Sequence, residues 1–234
     1  MPAIAPIGAT AGHSRESGNP GSRSQNMYII DFDDTLFNTE AFKLAKLEAA
    51  MHLGISEKVF WEAYHAPREN DEGAYVYTSE LHAKELAKRG FDEIGVLSVL
   101  KKVDAQIAQF VFPDTIDFLI KMKSLKKPMV LLSLGSPEYI RKKVAGAGIE
   151  KYFDKIIVVD KTKTEALGDL LKESENQDIW LVNDKPNESM QLKQQFPDIN
   201  FILKKSKKYS DEEYVKSGIP SFSSLHEIYE FIRK

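Results

Sequence analysis

The residues with the clearest chemical potential lie between Tyr28 and Thr35, where Tyr28, Ile29 and Ile30 give way to Asp31, Phe32, Asp33, Asp34 and Thr35. The apolar run has the length and β-branched content of a buried strand. Its carboxyl end is the edge at which open α/β sheets bind ligands. Two carboxylates two residues apart at such an edge can converge on one small volume, where they repel unless something positive lies near. All-oxygen donors of this kind suit a hard divalent cation such as Mg²⁺. An acidic turn or a helix N-cap would read the same way locally, because Asp is common in both. The rest of the chain has to decide between these readings.

Helical spacing follows Thr35. Phe42, Leu44, Ala45, Leu47, Ala49 and Met51 recur among Lys and Glu, and Gly54 suits a helix end. Ser56 is placed to cap a second helix carrying Val59, Phe60, Trp61 and Tyr64, which stops at Pro67. Residues 68–77 are polar, with Gly73, Tyr75 and Tyr77, and read as a loop. Thr78 or Ser79 opens a third helix closed by Gly90, and a longer one is predicted over about 92–110. Strands and helices then alternate. Helices are predicted over 114–125, from Pro137 to Gly146 or Gly148, over 163–173, from Pro186, and over 223–233. Strands are predicted over 128–133, 156–159, 178–182 and 201–203. This order implies an α/β fold, a doubly wound parallel sheet with an all-helical insertion after the first strand. The divisions are a core of 27–37 and 112–234, an insertion of 38–111, and a Gly-, Ser-, Ala- and Pro-rich stretch over 1–26 expected to be a disordered tail. That stretch lacks the basic start and apolar centre of a secretory signal, and Met27 is a candidate functional start.

Three predicted strand ends carry related polar groups. The first ends in Asp31 and Asp33, the second in Ser133, and the fourth in Asn183 and Asp184, with Glu188 four residues on. Lys161 and Lys163 lie between the third strand and its helix. Brought to one rim, these residues supply carboxylates, a hydroxyl and an ammonium, the set that phosphoryl transfer uses.

The pattern resembles the haloacid dehalogenase superfamily. Its Asp-x-Asp-x-Thr motif is matched by Asp31 to Thr35, its strand-end Ser or Thr by Ser133, and its helix-start Lys by Lys163, with Lys161 as competitor. Its acidic strand end is matched by Asp184, with Glu188 less firmly placed. Asp34 stands where many members have Gly, and Asn183 where Gly or Asp is commoner. The resemblance implies a Rossmann-like core with a helical cap over the site, hinged near 37–39 and 112–114. Asp31 would be the nucleophile and Asp33 the general acid and base. Ser133 and Lys163 would bind phosphate. Mg²⁺ would be held by Asp31, Asp184 and the main-chain carbonyl of Asp33. The expected activity is Mg²⁺-dependent hydrolysis of a small phosphorylated metabolite through an aspartyl-phosphate. Dehalogenases of the family lack the second Asp, so Asp33 favours phosphate chemistry. A phosphomutase on the same scaffold and a non-catalytic phosphate- or partner-binding module are the alternatives. Asp34 should point away from the site, and the Asn183 amide could assist the metal or an ordered water. Tyr64, His65, Arg68, Tyr75 and Tyr77 are candidates to face substrate. The run Lys204, Lys205, Lys207, Lys208 is either a solvated surface or, if it meets the rim, an attractor for anions.

The chain is 234 residues long, 42% apolar and 29% charged, with a formal charge of -3 and no cysteine. These values allow a substantial core and exclude disulfides and thiolate metal sites. They give no support for nucleic-acid binding. No apolar run approaches the roughly 18 residues of a membrane span, and a cytoplasmic location is expected.

Overall fold

A computed structural model describes residues 26–68, 77–173 and 178–234. Apart from Asn26, the expected tail lies outside these residues, as does Tyr75. Six strands form one fully parallel sheet: β1 Met27–Ile30, β2 Met129–Leu134, β3 Lys155–Val159, β4 Ile179–Asn183, β5 Asn200–Lys204 and β6 Ser221–Phe222. Their spatial order is β3-β2-β1-β4-β5-β6. The chain winds outward to β3 on one side of β1 and to β6 on the other. The switch in direction therefore falls between β1 and β4, the place where such sheets form a ligand crevice.

Alternation along β1 assigns its side chains to two cores. Tyr28 and Ile30 join Leu131 and Val182 beneath α5 Thr115–Ser124, α6 Pro137–Gly146 and α10 Leu225–Ile232, through Phe118, Ile140 and Ile228 among others. Ile29 joins Val130 and Leu181 on the opposite face, against Leu167 of α7 Thr164–Glu173, Leu192 of α8 Pro186–Gln195 and Tyr214 of α9 Asp211–Ser217. Because both faces are covered, the central strands are apolar throughout.

After the turn that follows β1, the insertion is helical among the described residues: α1 Thr39–Met51, α2 Glu57–His65, α3 Ser79–Ala87 and α4 Glu93–Asp104, with short 3₁₀ turns, and α5 then leads back to β2. Asn38, Ser56, Thr78 and Asp92 cap the four N-termini with their side chains. A separate apolar cluster including Leu47, Phe60, Leu86 and Leu100 holds them together. The two chain crossings are tied to each other. Asn38 N–H donates to the Phe110 carbonyl at 2.7 Å, and Phe112 N–H donates to the Leu36 carbonyl at 3.1 Å.

Three sequence expectations change. The single helix over 92–110 is α4 followed by a 3₁₀ turn at Ile107–Phe110. The short helix α9 and the two-residue strand β6 were not anticipated. The α9 signal was nonetheless present: Ser210 and Glu213 form a capping box. Among the described residues no helix is long and apolar enough to cross a membrane.

Leu131 is fully buried in β2, in the core shared with β1. Leu131→Ala should destabilise the protein by about 2–5 kcal/mol, read as a lower urea midpoint with an unchanged slope.

Candidate active site

Asp31 lies at the end of β1, buried, and its amide donates to the Val182 carbonyl of β4 at 2.9 Å, so its position is fixed by the switch point itself. One carboxylate oxygen accepts from Lys163 Nζ at 2.7 Å and the other from Thr35 Oγ1 at 3.2 Å. Lys163 is almost fully buried, whereas Lys161 is exposed, which decides between the two lysines. Lys163 also donates to Asn183 Oδ1 and Glu188 Oε2, each at 3.2 Å. Burial works against the Lys163 charge, but Asp31 and Glu188 outweigh it and hold the pKa above the usual lysine value. For Asp31, burial prevails over the attraction of Lys163 and Lys185, and its pKa is raised.

Asp184 follows β4 and is 1% exposed, and neither carboxylate oxygen has a hydrogen-bond partner. Burial and then the neighbouring Asp31 charge push its pKa up to about 8. Ser133 Oγ, near the end of β2, is likewise buried and unpartnered, so it does not cap the turn before Gly135. Native proteins rarely leave such atoms unsatisfied. Two carboxylates and a nearby main-chain carbonyl form a donor set that fits Mg²⁺, which retains several waters. Among the described residues no three His, Cys, Asp or Glu side chains form a fuller cage.

Asp33 faces Lys143, with which it makes a very short ion pair, and accepts from Thr39 Oγ1 at 2.6 Å. Burial favours the neutral acid, but Lys143 and Thr39 outweigh it and lower the pKa. Lys143 itself is buried among the rings of Phe32, Phe37 and Phe42.

Other expectations are corrected. Asp34 adopts a left-handed conformation at φ 60°, which explains why Gly is common at this position and why Asp is tolerated. Its carboxylate does not leave the site. It lines the cavity, accepts from Thr39 N–H at 3.1 Å and is paired with Lys208. The lysine run therefore meets the rim. Asn183 turns toward Lys163, and its amide nitrogen donates to Glu188 and Ser189, both at 2.9 Å, so it positions the lysine and not a metal. Glu188 belongs to the same cluster.

A cavity of about 250 Å³ lies over Asp31, between the sheet edge and the helical insert. Tyr64 and Tyr77 line it, whereas His65 is exposed. Lys43, Lys46, Tyr139, Lys143 and Lys185, none of them expected from sequence, also contribute. Lys46 and Lys143 did leave a trace: each sits at helical spacing among apolar residues, four after Phe42 and three after Ile140. Lys46 Nζ reaches Asp104 Oδ1 and the Tyr139 hydroxyl, both at 2.7 Å, and Ser79 Oγ at 2.8 Å, joining the insert to α6.

The profile of the haloacid dehalogenase-like hydrolases matches residues 26–188, and the chain belongs to that family. No curated protein matches it. Among solved structures, a provisionally assigned haloacid dehalogenase-like hydrolase from Burkholderia xenovorans LB400 is 17% identical with a TM-score of 0.68, over 88% of this chain and 96% of that one. A provisionally assigned beta-phosphoglucomutase from Thermotoga maritima is 15% identical, TM-score 0.63, over 89% and 98%. The L-2-haloacid dehalogenase from Xanthobacter autotrophicus is 16% identical, TM-score 0.60, over 89% and 98%. At these identities the likeness establishes the fold, and the chemistry has to be argued from the residues.

Burial lowers the Lys46 pKa from 10.5 to about 8, with Asp104 offsetting only part of the effect. Between these values the unfolded chain binds the proton more readily than the folded one, so this lysine's contribution to stability rises with pH. The stability of wild type minus that of Lys46→Met should therefore increase from about pH 8 to 10.5, as measured by denaturant titration at each pH.

Proposed function

We propose that the protein is a Mg²⁺-dependent phosphomonoester hydrolase acting on a small phosphorylated substrate through an aspartyl-phosphate. The observation that carries this reading is the trio of buried, unpartnered oxygens on Asp184 and Ser133, set on the same edge as the Asp31–Lys163 pair. The Asp184 oxygens call for a cation, and the Ser133 hydroxyl for an acceptor such as a phosphate oxygen. The second acid, Asp33, gives the site a group that can handle the leaving-group proton, which carbon–halogen cleavage does not require.

An Asp31 carboxylate oxygen attacks phosphorus while the bond to the leaving oxygen breaks; Asp33, ionised in the empty site, takes up a proton from the monoanionic phosphate of the incoming substrate and delivers it to that oxygen. Water then attacks the aspartyl-phosphate at phosphorus and gives its proton to Asp33. The phosphorus–oxygen bond to Asp31 breaks, releasing inorganic phosphate and the free carboxylate. Ser133 donates to a phosphate oxygen, and Lys163 balances the charge on Asp31 and the phosphate. Asp31, Asp184 and the Asp33 carbonyl would hold Mg²⁺, which when bound would screen the repulsion between nucleophile and phosphate. Tyr64 and Tyr77 close the cavity from the insert side and limit access of water.

A panel of phosphomonoesters including p-nitrophenyl phosphate, assayed for phosphate release with and without Mg²⁺, tests the reading. Turnover should require the metal. Asp31→Asn should abolish it, and Asp33→Asn should leave it slowed by about 10²–10⁴-fold. Full activity in Asp31→Asn would defeat the assignment. Independently of turnover, Mg²⁺ should raise the melting temperature of the wild type and not that of Asp184→Asn.

A further inference from the structure

A second concavity lies beside the catalytic cavity and shares Asp34 and Lys208 with it. Its volume is about 480 Å³, and its walls include Asn38 and Glu40 of the outgoing crossing, Phe112 of the returning one, and Lys204, Lys205, Ser206 and Lys207. Four lysines therefore face two carboxylates. Lys208 is paired with Asp34 and Lys205 with Asp211. Lys207 is exposed.

Lys204 is the anomaly. It ends β5 and is 6% exposed, yet among the described residues no carboxylate lies within ion-pair distance of its ammonium. Its contacts are the Lys205 carbonyl at 3.3 Å and the face of the Phe112 ring, 4.0 Å from the centroid. Burial lowers its pKa, and the more distant Asp114, Asp184 and Asp34 only partly offset this. A buried ammonium with so little compensation is unfavourable unless a counter-charge arrives. A second, independent observation lies two residues on: Ser206 Oγ is buried and makes no well-formed hydrogen bond, with only the Tyr214 hydroxyl near it. The Ser206 main chain is fixed by donation to the Tyr214 hydroxyl at 2.8 Å, and that hydroxyl donates to the Asp184 carbonyl at 3.0 Å. Both weakly compensated groups border the same groove.

We propose that this groove is a second anion site, in which Lys204 and Ser206 hold an oxyanion of the phosphate, sulfate or carboxylate type. The anion reaches it either as the far end of a substrate whose phosphoryl group lies at Asp31, or as a free ion seated against both chain crossings. The site itself does not depend on the hydrolase reading; only the assay that separates the two sources does.

Sulfate is the probe, titrated into the metal-free full chain at constant ionic strength with melting temperature as the readout. Wild type should be stabilised with saturation. Lys204→Met should be at least as stable as wild type without sulfate, since an apolar side chain replaces an uncompensated charge. Its sulfate response should weaken by about tenfold to a hundredfold. Ser206→Ala should weaken the response by a smaller factor, and Ser133→Ala, in the neighbouring cavity, should keep it. Equal responses in wild type and Lys204→Met, or a response lost in Ser133→Ala and retained in Lys204→Met, would overturn the proposal. The source is then read from turnover. A KM raised about tenfold or more by Lys204→Met for an alkanediol bisphosphate, with p-nitrophenyl phosphate unaffected, marks the substrate's far end. Sulfate altering p-nitrophenyl phosphate hydrolysis in wild type but not in Lys204→Met marks a free ion.

Discussion

Two carboxylates in a dry crevice are the constraint to which the rest of the molecule answers. Asp31 and Asp184 sit at the ends of adjacent parallel strands, so the sheet that builds the fold also brings them together. Like charges brought together in a poorly solvated place repel, and the Asp31 charge accordingly raises the Asp184 pKa. Lys163 supplies one positive charge, but Glu188 and Asn183, which orient it, bring another negative one. Lys185 redresses part of this: burial disfavours its charge, but Glu188, Asp31 and Asp184 raise its pKa above the usual value. Asp184 is left with no partner, and without a cation it favours the protonated form. A buried carboxylate pushed toward its neutral form is the feature that the proposed cation would answer.

This arrangement also explains what the sequence made legible. Apolar runs that give way to Asp, Ser or Asp mark where strands meet the rim, so β1, β2 and β4 and the polar groups at or near their ends were readable in order, although β2 runs one residue past Ser133. The choice of Lys163 over Lys161 was not, since only the path of the loop after β3 decides which ammonium is buried. Asn183 was misread for a similar reason. Its position beside Asp184 suggested a shared task, yet neighbours along a strand point to opposite faces, and the amide looks toward α8.

The cavity wall was the least legible part. Lys46 and Lys143 lie on inward helix faces where an apolar residue would ordinarily stand. Their meaning depends on partners 58 and 110 residues away in sequence, Asp104 and Asp33. Helical period alone marks them as exceptions without saying what balances them. Lys208 reaches Asp34 across 174 residues, a contact no local pattern encodes. Neither the left-handed turn at Asp34 nor the tethering of its carboxylate was read from the sequence.

One helix touches nearly every part of this arrangement. Ser133 lies in β2, and the turn from that strand into α6 carries Gly135, packed so closely on Ile140 that an added Cβ would lie 2.9 Å from its Cγ1. One turn further, Tyr139 is lodged among Lys46 and Asp104 of the insert, and Lys143 grips Asp33. Helix α6 thus works as a crossbeam. Its Tyr139 holds the upper storey and its Lys143 holds the acid, so a substitution that displaces this helix would disturb both at once.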